Sequence, residues 1–293
     1  MSVDTSPKPQ LDEAELVELA LGNEAKPRSS STSFALKAWT FTWPKLLAIA
    51  IVIGIWQFAY AVEWKPSFVL PSPFTVLQNL WDQLFTGRLW EQISLTMRRG
   101  VLGFCLALAI GTTIGIAVVQ WRTLRLAIGS MIAGLQTMPS IVWFPLAILF
   151  FGLTETAIMF VVVLGAAPSI ASGVITGIDE VPPPLLRAGK MIGATGINKY
   201  RYITLPAAMP SYLAGLKQGW AFSWRSLLAG ELLVTIQGSG SLGSALNFAR
   251  TTGNAVNLYT FMIVIFVIGV LVDAFFGFIT KRIREKRGLT GHI

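Results

Sequence analysis

Six long apolar stretches alternate with polar segments along the chain, and each is long enough to form a helix that crosses a bilayer. Such a helix needs about 20 mostly apolar residues. The predicted spans are 45–62, 101–119, 128–151, 157–177, 212–235 and 259–279. The sequence therefore predicts an all-α transmembrane fold, in which residues 41–293 form the membrane domain and residues 1–40 a polar tail.

Outside the spans, two segments have a helical pattern of their own. Residues 66–97 are too polar to cross a membrane, but within 71–85 the apolar residues recur at helical spacing. This pattern predicts a helix lying along the membrane surface. Residues 11–21 in the tail predict a short amphipathic helix.

Small residues recur every four positions in two spans. They are Gly111 and Gly115 in the second span, and Gly165, Ser169, Gly173 and Gly177 in the fourth. Such a stripe lets two helices approach closely. It favours close packing within one chain, with a seam between two chains as the alternative.

The composition supports a membrane protein and excludes several other classes. Hydrophobic residues make up 53% of the chain and charged residues 13%, whereas charged residues are about a quarter of an ordinary globular chain. A single cysteine excludes a disulfide framework and a cysteine-rich metal site. The single histidine, His292, excludes a Ser-His-Asp triad in the core, so a membrane-embedded enzyme is a weak alternative.

The charges indicate which side of the membrane each connection faces. The net charge is +8, yet residues 1–40 hold six acids and four bases, so the positive excess belongs to the apolar body. Bases concentrate in the 120–127 turn, in the 178–211 loop and at the C-terminus. By the positive-inside rule both termini are predicted to be cytoplasmic. The basic residues lie between apolar stretches and are not clustered on one exposed face, so they do not indicate a nucleic-acid-binding surface.

The 178–211 loop carries the most informative pattern. Three prolines open it and precede a helix-prone stretch, after which Gly193 and Gly196 permit a sharp turn. Pro206 and Pro210 then mark the return to the membrane. The loop is predicted to be a helix-turn-helix outside the bilayer that docks on a cytoplasmic partner.

This loop resembles the cytoplasmic motif of ABC importer permeases. That motif reads E-A-A, three residues, Gly, nine residues, then Ile-x-Leu-Pro. The matching positions, which the resemblance implies couple to an ATPase, are Arg187, Ala188, Gly189, Gly193, Ile203, Leu205 and Pro206. The spacing matches throughout, but Arg187 replaces the motif glutamate and Gly189 replaces an alanine. A salt bridge made by that glutamate is therefore not expected here, and an acid on the ATPase would have to compensate.

Three further stretches, 70–73, 137–152 and 230–243, are similar to permeases of the aliphatic sulfonate, taurine and nitrate importers. The resemblance covers residues 65–280. It implies a permease for a small anion, an aliphatic sulfonate or taurine first, with nitrate, bicarbonate or a thiamine precursor as alternatives. A secondary transporter or channel that works without ATP is the rival from another class.

The resemblance also implies partners. Two copies of the chain would form the pathway in a bacterial inner membrane, with two ATP-binding subunits beneath and an extracytoplasmic solute-binding protein outside. No G-x-x-x-x-G-K-[ST] pattern occurs, because Pro184 stands where the first glycine before Gly189-Lys190 should be. The chain is therefore expected to bind no cofactor and to catalyse nothing itself, with ATP and Mg²⁺ on the ATPase.

A few polar or bulky residues inside the spans are candidates for the pathway. Arg225 is the deepest charge and would suit an oxyanion, because the planar guanidinium matches such groups; a structural pair is the alternative. Glu231 is expected to pair with Arg98 or Arg99 near the outer surface. Further pathway candidates are Trp143, Trp220, Trp224 and Pro139. Lys217 and Asp273 lie near the cytoplasmic ends and can reach water.

Overall fold

A computed structural model describes residues 34–234, 236 and 240–286, and their side chains except those of 34–42, 284 and 286. Throughout these residues the regular structure is helical and contains no strand. The helices are α1 (Phe34–Ala61), α2 (Pro73–Phe85), α3 (Arg88–Gln120), α4 (Arg122–Thr137), α5 (Phe144–Phe151), α6 (Glu155–Asp179), α7 (Pro183–Met191), α8 (Gly196–Lys199), α9 (Leu205–Leu233), α10 (Leu242–Thr251) and α11 (Ala255–Lys286). The predicted tail helix at 11–21 lies outside the described residues.

The chain divides into two compact units, Met1–Phe58 and Ala59–Ile293. The described part of the first unit is helix α1, which is long and apolar enough to cross a membrane between Trp43 and Ala61. The second unit holds the remaining helices and the packed core.

Glycines bring the backbones of α3, α6 and α9 into contact at the centre of the second unit. A Cβ added to Gly173 on α6 would lie 2.7 Å from the Cα of Gly215 on α9. On α3, a Cβ at Gly111 would lie 2.6 Å from the carbonyl oxygen of Ala167. No side chain fits at such separations, since even Cβ atoms do not approach backbone so closely. The prediction of close packing within one chain is confirmed for these positions.

Four of the described helices, α1, α3, α6 and α11, are long and apolar enough to span a membrane. A fifth candidate is α4 together with Ser140–Phe151, a pair bent by 104°. Pro139 lies at the bend, because proline removes a backbone donor and ends a helix, while Pro145 lies in the first turn of α5. The predicted fifth span corresponds to α9, which is long enough but not apolar enough to be counted with these helices, and which carries Lys217, Arg225 and Glu231.

The second predicted span is part of a longer helix. Helix α3 begins at Arg88, not at residue 101, so Arg98 and Arg99 lie within it. The segment expected along the membrane surface is helical as α2. Ser72 caps it, with its Oγ accepting the Thr75 N–H at 3.1 Å. Asn79 on α2 donates to Asn257 on α11 at 2.9 Å and thereby joins the two helices.

Candidate functional site

The helix-turn-helix predicted in the 178–211 loop, named the coupling loop from here on, is present, and its second helix runs on without a break past Pro206 and Pro210. Helix α7 ends at Met191, and Gly193 (φ 79°) and Gly196 (φ 54°) make the turn. Helix α8 then continues through a π-turn at Tyr200–Thr204 directly into α9. Pro206 fits there because it lies in the first turn of α9, and Pro210 lies inside that helix. The loop is therefore continuous with a long helix of the core.

Two residues of the motif hold the turn closed. Gly189 is buried, and a Cβ added there would overlap the Cδ1 of Ile203, which is itself 8% exposed. The N–H of Ala194 donates to the carbonyl of Gly189 at 2.9 Å. The first helix thus packs against the π-turn through a residue with no side chain.

The remaining motif residues are more accessible. Arg187, Ala188, Gly193 and Leu205 are exposed, and Pro206 is half-buried. Arg187 makes no ion pair with any residue in the described part of the chain. The loop therefore exposes a basic side chain, Arg187, at the position where the family motif has a glutamate.

At the opposite end of α9, a buried ionic network joins four helices. The Nη1 of Arg99 on α3 lies 3.3 Å from the Oε1 of Glu231 on α9. The Nε of Arg99 also donates to Glu155, the first residue of α6, at 3.2 Å. Arg99 is 3% exposed and Glu231 1%. Of the two candidate partners, the structure brings Arg99 to Glu231, while Arg98 is exposed.

Neutral donors complete this network. The hydroxyl of Thr96 donates to Glu231 Oε2 at 3.0 Å, and the N–H of Gly243 donates to the same oxygen at 3.0 Å. Thr96 in turn accepts the N–H of Leu242 at 3.0 Å. Glu231 therefore fixes the start of α10 as well as the α3 contact. Within 34–234, 236 and 240–286, no three acidic, histidine or cysteine side chains lie close enough to hold a metal ion.

Sequence reasoning missed Thr96 and Glu155 as members of this network. A signal was available for Thr96, because it lies three residues before Arg99, on the same face of α3 as Gly103 and Gly111. Glu155 lies between two predicted spans, so the hydropathy pattern gave no reason to place it against Arg99. Lys217 and Asp273, expected to reach water, are exposed to it in part and are also paired with each other at 3.0 Å.

Arg225 lies on the exposed face of α9. Together with Ala214 and Gln218 it forms one exposed stripe, while Gly215 and Gly219, on an adjoining face of the helix, pack against α6. Its guanidinium lies 5.6 Å from the ring centroid of Phe222 on the same helix. No acidic partner is present among the described residues, so the structural pair considered for Arg225 is not formed within this part of the chain.

The tryptophans predicted to line the pathway do not lie on the exposed stripe of Arg225. Trp220 and Trp224 are stacked, with ring centroids 6.5 Å apart, and both are buried. Trp220 also meets Phe104 on α3 at 5.3 Å and Phe276 on α11 at 6.1 Å. Within the chain these rings pack three helices together. Trp143 is half-buried against the same core, and the exposed Pro139 lies at the bend before α5.

Comparison with known proteins identifies the family. The chain matches the model of the binding-protein-dependent transport system inner membrane component over residues 107–285, more than half of its length. The chain belongs to this family. It is a multi-pass permease subunit of an ABC importer, a class that works with ATPase and solute-binding partners.

Several relatives of the permease have named substrates. It is 26% identical to a putative aliphatic sulfonates transport permease of Bacillus subtilis (strain 168), across 84% of this chain and 89% of that one. It is 25% identical to the taurine transport system permease of Escherichia coli (strain K12), across 66% and 72%. It is also 27% identical to a riboflavin transport system permease of Chloroflexus aurantiacus, across 72% and 78%.

Solved structures share the fold of the permease. An amino acid ABC transporter chain aligns with a TM-score of 0.55 and 18% identity, over 71% of this chain and 97% of that chain. A chain of the MetNI methionine ABC transporter aligns with a TM-score of 0.52 and 22% identity, over 66% and 93%. These likenesses support the helical fold and carry no information on substrate.

Proposed function

We propose that the permease conducts a small anion, an aliphatic sulfonate or taurine, along a pathway that it forms with a second copy of itself. Two partner ATPases bind ATP and Mg²⁺, dock on the coupling loop and drive the cycle. A solute-binding protein delivers the anion from outside. The observation that carries this proposal is the exposed Arg225 in the middle of a membrane-domain helix.

Arg225 does not face lipid in this proposal, because a charge in the hydrocarbon costs several kcal/mol. By the rise of an α-helix it lies about 12 Å from the end of α9 at Leu233 and about 30 Å from Leu205. Neither end is within easy reach of its side chain. The stripe that contains Arg225, Gln218 and Ala214 therefore faces an aqueous pathway beside the second copy, where a guanidinium can bind an oxyanion in two-point fashion.

The same logic makes α9 a membrane span despite its polarity, which brings the number of spans to six. Lys217 is paired with Asp273 at an exposed position, and Glu231 is buried with Arg99, so two of its three charges have ionic partners within the chain. Only Arg225 then needs water. With six spans, and the basic loops inside, both termini are cytoplasmic. Trp143 and Pro139 at the bend after α4, and the Trp220–Trp224 stack behind α9, are proposed to border or support the pathway.

Coupling is assigned to the seven motif residues. The Gly189–Ile203 contact joins α7 to the π-turn, and the π-turn is continuous with α9. A displacement of α7 by the ATPase is therefore transmitted directly to the helix that carries Arg225. Arg187 is proposed to meet an acidic residue on the ATPase, where the family's glutamate would meet a base.

Uptake in proteoliposomes, with the cognate ATPase and binding protein, tests this proposal. ATP-dependent uptake of taurine or an alkanesulfonate is expected, and deletion of residues 187–206 should abolish ATPase association. Nitrate and riboflavin in the same assay test the alternatives, the latter because a riboflavin permease is among the relatives. ATP-driven uptake of riboflavin alone would overturn the anion assignment, and an unchanged complex after the deletion would overturn the coupling assignment.

A further inference from the structure

A cavity of about 410 Å³ lies where α3, α6 and α9 meet the coupling loop. Ligand pockets are typically about 300–1,000 Å³, so this one is large enough for a specific occupant. Its walls are mostly apolar, and they include Ile116 and Val119 on α3 and Val174 on α6. Along α3 it extends from Thr112 to Gln120, about 12 Å of helix. The cavity is separate from the exposed stripe of Arg225, since the residues of that stripe do not line it.

One polar side chain in the wall lacks a partner. Thr204 is 4% exposed, lines the cavity, and its hydroxyl makes no hydrogen bond with the protein. By contrast, the hydroxyls of Thr112 and Tyr212 in the same wall are 3.1 Å apart and bonded to each other. The Thr204 hydroxyl oxygen is also sealed from the cavity, so it offers an occupant no hydrogen bond, and the wall here favours an apolar chain.

The residues that line the cavity are uncharged, but three cations lie next to lining residues at its coupling-loop end. Tyr200 lines the cavity, and the Nζ of Lys199 lies 5.9 Å from the centroid of its ring. Arg201 follows Tyr200 directly, and Arg122 comes two residues after Gln120 at the same end of α3. None of the three has an acidic partner in the described part of the chain. The acids nearby are engaged: Asp179 pairs with Arg125 at 2.7 Å, and Glu180 accepts from the Ser211 hydroxyl at 2.9 Å.

We infer that this cavity is a binding site for an anionic phospholipid. An acyl chain fills the apolar length between α3 and α9, and the phosphate meets Lys199, Arg201 and Arg122 at the coupling-loop end. Basic pockets between transmembrane helices on the cytoplasmic side are typical sites for anionic headgroups. The bound lipid contacts the π-turn at Tyr200–Thr204, so it stabilises the junction between the coupling loop and α9. The inference requires only the membrane location and no part of the anion pathway.

Native mass spectrometry of the purified full-length permease tests the site without substrate or ATP. The protein is relipidated with equal amounts of phosphatidylglycerol and phosphatidylcholine, and the lipid retained per chain is counted. Phosphatidylglycerol should be retained at least fivefold over phosphatidylcholine. Ile116→Trp fills the cavity from an exposed position and should lower this retention about tenfold. Ile110→Trp, on the same helix, also exposed and outside the cavity, should leave it unchanged.

A further variant addresses the headgroup contacts. The double variant Lys199→Gln/Arg201→Gln should remove the preference over phosphatidylcholine, and Arg88→Gln at the other end of α3 should not. Equal retention of the two lipids by the wild type, or normal retention by Ile116→Trp, would overturn the inference.

A photo-crosslinking residue at position 116 in native membranes identifies the occupant directly. A lipid adduct is expected. An adduct to a second copy of the chain would overturn the inference and assign the cavity to an interface between copies. Because neither readout involves transport, failure here leaves the proposed anion pathway untouched, and failure of uptake leaves the lipid site untouched.

Discussion

Gly189 on α7 lies directly against the side chain of Ile203 in the π-turn, so closely that a Cβ on the glycine would overlap the Cδ1 of the isoleucine. The two residues are fourteen positions apart, and both belong to the loop motif. The family pattern has alanine at the first of them. The exchange of alanine for glycine therefore coincides with a tight contact, in which the isoleucine occupies the space of the missing methyl group.

The contact predicts a rescue within the motif. Gly189→Ala should weaken ATPase association several-fold, because Ile203 has to change its side-chain conformation. Ile203→Val removes the Cδ1 atom, so the double variant Gly189→Ala/Ile203→Val should bind the ATPase better than Gly189→Ala alone. Affinity for the purified ATPase, with stimulated ATP hydrolysis as the second readout, measures both effects. A double variant no better than the single one would show that the contact does not shape the docking surface.

The buried pair of Arg99 and Glu231 predicts a large stability effect with a matched control. Arg99→Met leaves Glu231 buried without its cation, which costs about 3–5 kcal/mol in buried pairs. The neighbouring Arg98 is exposed, so Arg98→Met should change stability by less than about 0.5 kcal/mol. Unfolding midpoints in detergent compare the two variants.

The same network predicts partial recovery in a double variant. Replacing both partners, as in Arg99→Met/Glu231→Leu, removes both buried charges and should be less harmful than Arg99→Met alone. The recovery should be incomplete, since Thr96 and the N–H of Gly243 also lose their acceptor. Equal midpoints for Arg98→Met and Arg99→Met would contradict the placement of Arg99 in the core.

The glycine contact between α6 and α9 predicts opposite effects at two glycines. Gly173→Ala places a Cβ within 2.7 Å of the Cα of Gly215, so the helices must separate, at a cost of about 1–3 kcal/mol for an overpacked core. Gly129→Ala, in helix α4, meets no atom within 4 Å. It should stabilise the helix by about 0.5–1 kcal/mol because alanine loses less backbone entropy. Thermal unfolding in detergent separates the two; a neutral Gly173→Ala would argue against the close approach.

Hydropathy and proline positions were sufficient to predict the helical architecture, because each apolar stretch is independent of its neighbours. The bend at Pro139 and the turn at Gly193 also follow from local chemistry. The start of α3 at Arg88 was not predicted. Two adjacent arginines, Arg98 and Arg99, resemble the end of a span in the sequence, and only the structure shows that Arg99 is paired with Glu231 and Glu155. The unpaired hydroxyl of Thr204 was equally invisible, because it depends on which helices meet around it.

The pathway assignment is tested most sharply at Arg225, because its exposure separates function from folding. With no ion pair to lose among the described residues, Arg225→Ala should leave the unfolding midpoint and ATPase association unchanged. Uptake of taurine or an alkanesulfonate should fall about tenfold or more, the effect of a lost charge-assisted hydrogen bond. Arg225→Lys keeps the charge but loses the two-point geometry and should recover only part of the uptake. Arg98→Ala, an exposed cation outside the stripe, provides the control for net charge. If Arg225→Ala transported the anion at the wild-type rate with the complex intact, the face of α9 that carries Arg225 would not be the anion pathway.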